Sequence, residues 1–201
     1  TGNITLTGTN GFAAVDGGLI GLFLGSGTVK NSHATGSITN TLPSANVLSF
    51  SASGGLIGAG IGVDAQYVLS IALQNPSSAS YGLRVDNSYS EGSVVVNKIG
   101  NGQHYTTSGG LAGIIVGNAE ITNVYATGDV NTLSRNKLGV FLGDENTVNG
   151  FDAVAEGDTN FSVSGGLIGT AWGVDGQQIL DKLSGKPDSP PKPGLLIDNT
   201  H

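Results

Sequence analysis

The sequence predicts an all-β chain, a right-handed parallel β-helix with two short, partly helical inserts. Three observations carry that prediction. A glycine-rich pentapeptide recurs along the chain, a second block recurs downstream of each copy, and the stretches between glycines alternate with a period of two. Repeats of roughly 20–50 residues built from short strands are the mark of a solenoid, in which each winding buries its apolar face against the next.

The pentapeptide Gly-Gly-Leu-Ile-Gly begins at Gly17-Gly18-Leu19, Gly54-Gly55-Leu56 and Gly165-Gly166-Leu167, with a variant ending Leu-Ala-Gly at Gly109-Gly110-Leu111. The second block follows [VI]-x-N-x-[HY]-x-x-G-x-[VI], running from Val29, Val85 and Ile121, and a fourth copy opens at Ile197-Asp198-Asn199. In the first and third copies Gly17 to Gly36 and Gly109 to Gly128 span the same distance, whereas the second, Gly54 to Gly92, and the fourth carry insertions. A further degenerate copy is suggested around Gly139–Gly143.

Val29, Asn31 and His33 alternate with Lys30 and Ser32, the pattern of a strand with one face inward. Val, Ile, Thr and Tyr suit strands. The glycines fall at strand ends, where a corner needs a positive φ or a close approach of two backbones. Stacked windings place like over like. Leu19, Leu56, Leu111 and Leu167 then form one interior column, and Asn31, Asn87, Asn123 and Asn199 a ladder of amides. The right hand follows from the crossover rule for parallel strands.

The inserts interrupt this rhythm. Asp64–Gln74 offers Asp64 as an N-cap, with Val68, Leu69 and Ala72 on one side of a short helix. Asp175–Leu183 reads the same way, and the Pro-rich stretch Gly185–Gly194 reads as an exposed extended loop. The expected inserts are therefore about 64–81 and 175–194, sitting on one corner of a single domain, 1–201, that is part of a larger protein.

Composition narrows the function. Of 201 residues 34 are Gly, 11% are charged, and Cys and Met are absent. A net charge of −7 leaves no basic footprint for nucleic acid. Zero Cys excludes disulfides and thiolate chemistry. No apolar run reaches the ~18–20 residues of a membrane helix. There is no nucleophile elbow and no phosphate loop. His33 and His201 occupy the slot that holds Tyr89 and Tyr125, which reads as a packing position. His104 has no neighbouring ligand set. Asp144, Glu145 and Asn146 offer oxygen ligands that could hold one calcium ion, though solvated loop charges are the simpler reading. No cofactor and no catalytic residue is expected.

The paired strings Gly-Gly-Leu-Ile-Gly and [VI]-x-N-x-[HY]-Ala-Thr-Gly-x-[VI] resemble the GLUG motif of large bacterial surface and secreted proteins, among them filamentous-haemagglutinin-like adhesins. Gly2–Gly8 is similar to the strand repeats of such exoproteins. The resemblance implies a secreted or surface-attached, non-catalytic structural and adhesive module. Its partners would be a host or matrix receptor, a glycan, or neighbouring copies of itself. Two rival expectations are a head-to-tail fibre subunit and, less favoured, a β-helix carbohydrate-active enzyme.

Overall fold

The structure, a computed structural model, describes residues 2–7, 13–42, 49–62, 82–99, 104–135, 160–173 and 195–200. It is a parallel β-helix in which strands from successive windings form four sheets. Sheet A holds β1 (Ile4–Thr7), β6 (Ile38–Leu42), β10 (Val94–Ile99) and β14 (Val130–Arg135). Sheet B holds β2 (Ala13–Gly17), β7 (Ser49–Gly54), β11 (His104–Gly109) and β15 (Asn160–Gly165). Sheet C holds β3 (Ile20–Gly25), β8 (Ile57–Gly62), β12 (Ala112–Gly117) and β16 (Ile168–Gly173). Sheet D holds β4 (Gly27–Lys30), β9 (Leu83–Ser90), β13 (Ala119–Ala126) and β17 (Leu195–Thr200), with β5 (His33–Ala34) pairing onto β9. Among the described residues the chain visits A, B, C and D in turn, four times, and every strand pairing is parallel.

The pentapeptide is the arch between sheets B and C. Two residues cross it in every winding: 18–19, 55–56, 110–111 and 166–167. The glycines answer close approach. A Cβ on Gly113 would lie 2.6 Å from the Gly58 carbonyl oxygen and 2.6 Å from the Ser53 nitrogen. Across the same arch Thr107 donates to the Gly113 carbonyl at 2.7 Å and shares a hydrogen bond with the Thr170 hydroxyl at 2.9 Å. Positive φ is confined, among the described glycines, to Gly25 and Gly117, both at the end of a sheet C strand.

The four leucines stack through their backbones, Leu19 N donating to Leu56 O, Leu56 N to Leu111 O and Leu111 N to Leu167 O. Leu56 and Leu111 are fully buried, Leu167 is partly buried against the same cluster, and Leu19, in the first described winding, is 49% exposed because only the second winding lies against it. With them Val29, Ile57, Leu83, Val85, Ala112, Ile115, Ile121 and Val124 fill the space between sheets C and D.

Two expectations need correction. The interior is not aliphatic throughout. Between sheets A and B it is mixed: Asp16, Asn40, Ser49, Ser51, Ser53, Lys98, His104, Thr106 and Ser108 are buried together with Ile38, Leu42, Val94 and Val96 of the sheet A strands. Asn40 donates to Asp16 at 2.6 Å and to Ser51 at 2.9 Å, Lys98 donates to Ser162, and Ser49 shares a short hydrogen bond with His104 Nδ1. Most of these buried polar groups are hydrogen-bonded, as buried polar groups generally are; the Ser108 hydroxyl and the Asn40 side-chain oxygen have no such partner among the described residues. Nor do Val29, Asn31 and His33 share an inward face: Val29 is buried, Asn31 and His33 are exposed. Asn31 has φ 52°, and this left-handed residue breaks the strand alternation and turns the chain outward.

The helical readings of 64–81 and 175–194, the degenerate copy at 139–143 and the calcium candidates Asp144, Glu145 and Asn146 all lie outside the described residues.

Candidate functional site

Sheet D and the corner leading into it carry the exposed chemistry. Strand D alternates, so Val29, Val85 and Ile121 point inward while Thr28, Arg84 and Glu120 form one outer column and Lys30, Asp86, Thr122 and Asp198 the next. Neighbouring windings bring these side chains about 4.8 Å apart. Lys30 pairs with Asp86 at 3.2 Å and Arg84 with Glu120 at 2.8 Å. Asp86 also accepts from Thr122 at 3.1 Å and Asn123 at 3.0 Å. Hydrogen bonds from Asn123, Lys30 and Thr122 hold its carboxyl below the ordinary carboxylate range, so it stays ionised.

The asparagines end this run. Asn31, Asn87, Asn123 and Asn199 all have positive φ, between 46° and 52°. Asn is one of the few side-chain-bearing residues that visits this region readily, because its short amide bonds locally. Asn87 donates to Asn31 at 2.6 Å and Asn199 to Asn123 at 2.5 Å. The middle rung differs: Asn123 turns to Asp86 instead of Asn87, since a carboxylate is the stronger acceptor. Two residues on, His33 stacks on Tyr89 at 5.0 Å between ring centroids, and Tyr89 on Tyr125 at 4.7 Å. His201 lies outside the described residues.

The connection lengths mark the corner. From sheet D to sheet A it is always three residues, 35–37, 91–93 and 127–129. From sheet C to sheet D it is Ser26 alone, then 63–82, then Asn118 alone, then 174–194. The ladder is in register on both sides of that corner: Gly25, Gly62, Gly117 and Gly173 align, and so do Gly27, Leu83, Ala119 and Leu195. Both inserts therefore leave and rejoin the solenoid at equivalent positions, two windings apart. The connection from A to B also varies, from 100–103 to 136–159.

The glycines and leucines of the arch stand far from this outer face in role: they close backbones together and fill the core. Sequence reasoning missed the charge ladder of sheet D and the polar seam. The signal for the seam is present in Ser49-Phe50-Ser51-Ala52-Ser53, where serines occupy every second position. The ladder is invisible locally, because Lys30 and Asp86 belong to different repeats.

Among the described residues no three His, Asp or Glu side chains converge as a metal site, and no helix is long and apolar enough to cross a membrane. No curated protein and no solved structure matches the chain. The family model of the GLUG motif matches residues 104–131. That stretch is β11, the arch, β12, the Asn118 corner, β13, the Gly128 corner and the start of β14, so the match covers the sheet B, C and D strands of one winding and the first two residues of its sheet A strand.

Proposed function

We propose that the chain is a non-catalytic structural and adhesive β-solenoid module of a bacterial cell-surface or secreted protein, and that its two inserts do the binding. The observation that carries this is the C-to-D corner. Windings with a one-residue connection and windings with about twenty residues keep the same ladder register on either side. The inserts are thus additions that the ladder register does not require, and loops added to a scaffold are where recognition concentrates. The extracellular setting rests on the GLUG motif. A non-catalytic role is supported by the burial of the two hydroxyl–base pairs, Ser49–His104 and Lys98–Ser162, whose His104 and Lys98 are each 1% exposed.

The test replaces 63–82 with a single Ser, as at Ser26, and 174–194 with a single Asn, as at Asn118. The doubly shortened chain is expected to keep its circular dichroism spectrum and lose adherence to host-cell or matrix-coated surfaces. Full adherence after both replacements would refute the role of the inserts.

A second reading is a head-to-tail fibre subunit. Leu19 and Ile197 belong to columns buried in the middle windings yet are 49% and 42% exposed in the outer described windings. Another winding from a second copy would cover them. Size-exclusion chromatography showing monomers at every concentration ends that reading.

A further inference from the structure

The outer face of sheet D encloses a shallow groove of about 240 Å³ lined by Thr28, Lys30, Arg84, Asp86, Glu120 and Thr122. From this groove we infer a second binding site, separate from the inserts, for a neutral, hydroxyl-rich ligand: an uncharged saccharide.

The chemistry of the lining selects that class. All six side chains are polar, so an apolar ligand would strip water from charged groups and return nothing. The four charges are two cations, Lys30 and Arg84, and two anions, Asp86 and Glu120, which interlock as ion pairs across windings. An anionic ligand meets Asp86 and Glu120, and a cationic one meets Lys30 and Arg84. A neutral ligand that both donates and accepts hydrogen bonds avoids both conflicts. Carboxylates accept from vicinal hydroxyls, the guanidinium and ammonium donate to hydroxyl oxygens, Thr28 can do either, and Thr122, which donates to Asp86, can accept.

The site is also preorganised. Its six residues sit on β4, β9 and β13, three strands of one ladder, and Asp86 is held by Lys30, Thr122 and Asn123 together. A linear saccharide lying across the strands meets a new pair of side chains in each winding. The floor carries no aromatic face, so affinity rests on hydrogen bonds alone and a Kd of about 1 mM is expected.

The test uses the full chain, ¹⁵N-labelled, titrated with cellobiose and lactose as neutral probes, glucuronate as anion and glucosamine as cation. Saturable amide shifts are expected at 28–30, 84–86 and 120–122 with a neutral disaccharide, and about fivefold or more weaker binding of both charged sugars. Arg84→Gln is expected to weaken the neutral sugars and to improve glucosamine relative to glucuronate, and Glu120→Gln to do the reverse, with amides elsewhere unmoved. The proposal is overturned by three results: no saturable shift at these residues up to about 50 mM neutral sugar, tighter binding of a charged sugar by the unaltered chain, or unchanged preference in both variants. The chain lacking both inserts separates the two readings, because it should bind saccharide at this groove whether or not adherence is lost.

Discussion

Asn123 shows how much one backbone angle sets. Its φ of 52° costs a side chain with an ordinary Cβ roughly 1–2 kcal/mol, and its amide bridges Asp86 and Asn199. Asn123→Ala is expected to lose about 1 kcal/mol more stability than Asn123→Gly, measured by urea denaturation, because glycine removes the strain and alanine does not. Equal losses would place the whole effect in the amide. Asp16 makes the opposite case, a charge placed where burial opposes it. Desolvation raises its carboxyl above the ordinary carboxylate range, against the hydrogen bonds from Ser53 and Asn40. The folded chain then keeps this proton where the unfolded chain has lost it. Its contribution is full below the unfolded value and falls as pH rises through the folded one. Asp16→Asn should therefore flatten the loss of stability between mild acid and neutral pH. A variant with the same pH slope as the parent, followed by urea midpoints, would assign that slope elsewhere.

At the scale of elements the arch between sheets B and C decides the motif. Gly113 faces the backbones of Gly58 and Ser53 at distances that no Cβ can occupy, whereas a Cβ on Gly166 would meet nothing within 4 Å. Gly113→Ala is expected to cost about 1–3 kcal/mol or more by forcing the two sheets apart. Gly166→Ala, at a glycine of another copy of the pentapeptide, should stay within about 0.5 kcal/mol. Thermal melts of the two variants side by side check this, and equal melting temperatures would remove close approach as the reason for the glycines. The pentapeptide was legible as a corner from its spacing. Which of its glycines are needed was not, because the clash comes from a neighbouring winding that the local string does not contain.

The whole molecule behaves as stacked windings, each contacting its neighbours, so a residue's cost depends on its place in the stack. Leu111 has neighbours on both sides and is fully buried, while Leu19 is 49% exposed. Leu111→Ala is expected to cost about 2–5 kcal/mol and Leu19→Ala under about 1 kcal/mol, read from urea unfolding. Similar costs would mean that the first winding is covered in solution by further structure. The same logic separates what could be read early from what could not. The repeat of Gly-Gly-Leu and of Asn at fixed intervals determined the solenoid, its stacked columns and the places where the inserts interrupt them, because a periodic chain can bury its apolar faces only by stacking period on period. Only the tertiary structure decided that sheets A and B enclose a polar seam, that Asn123 turns to Asp86, and that Lys30, Arg84, Asp86 and Glu120 share one groove. Those facts depend on side chains of different strands coming within hydrogen-bond reach, Asn40 with Asp16 and Ser51 as much as Asp86 with Lys30 and Asn123, and the register of the windings, not local pattern, sets that distance.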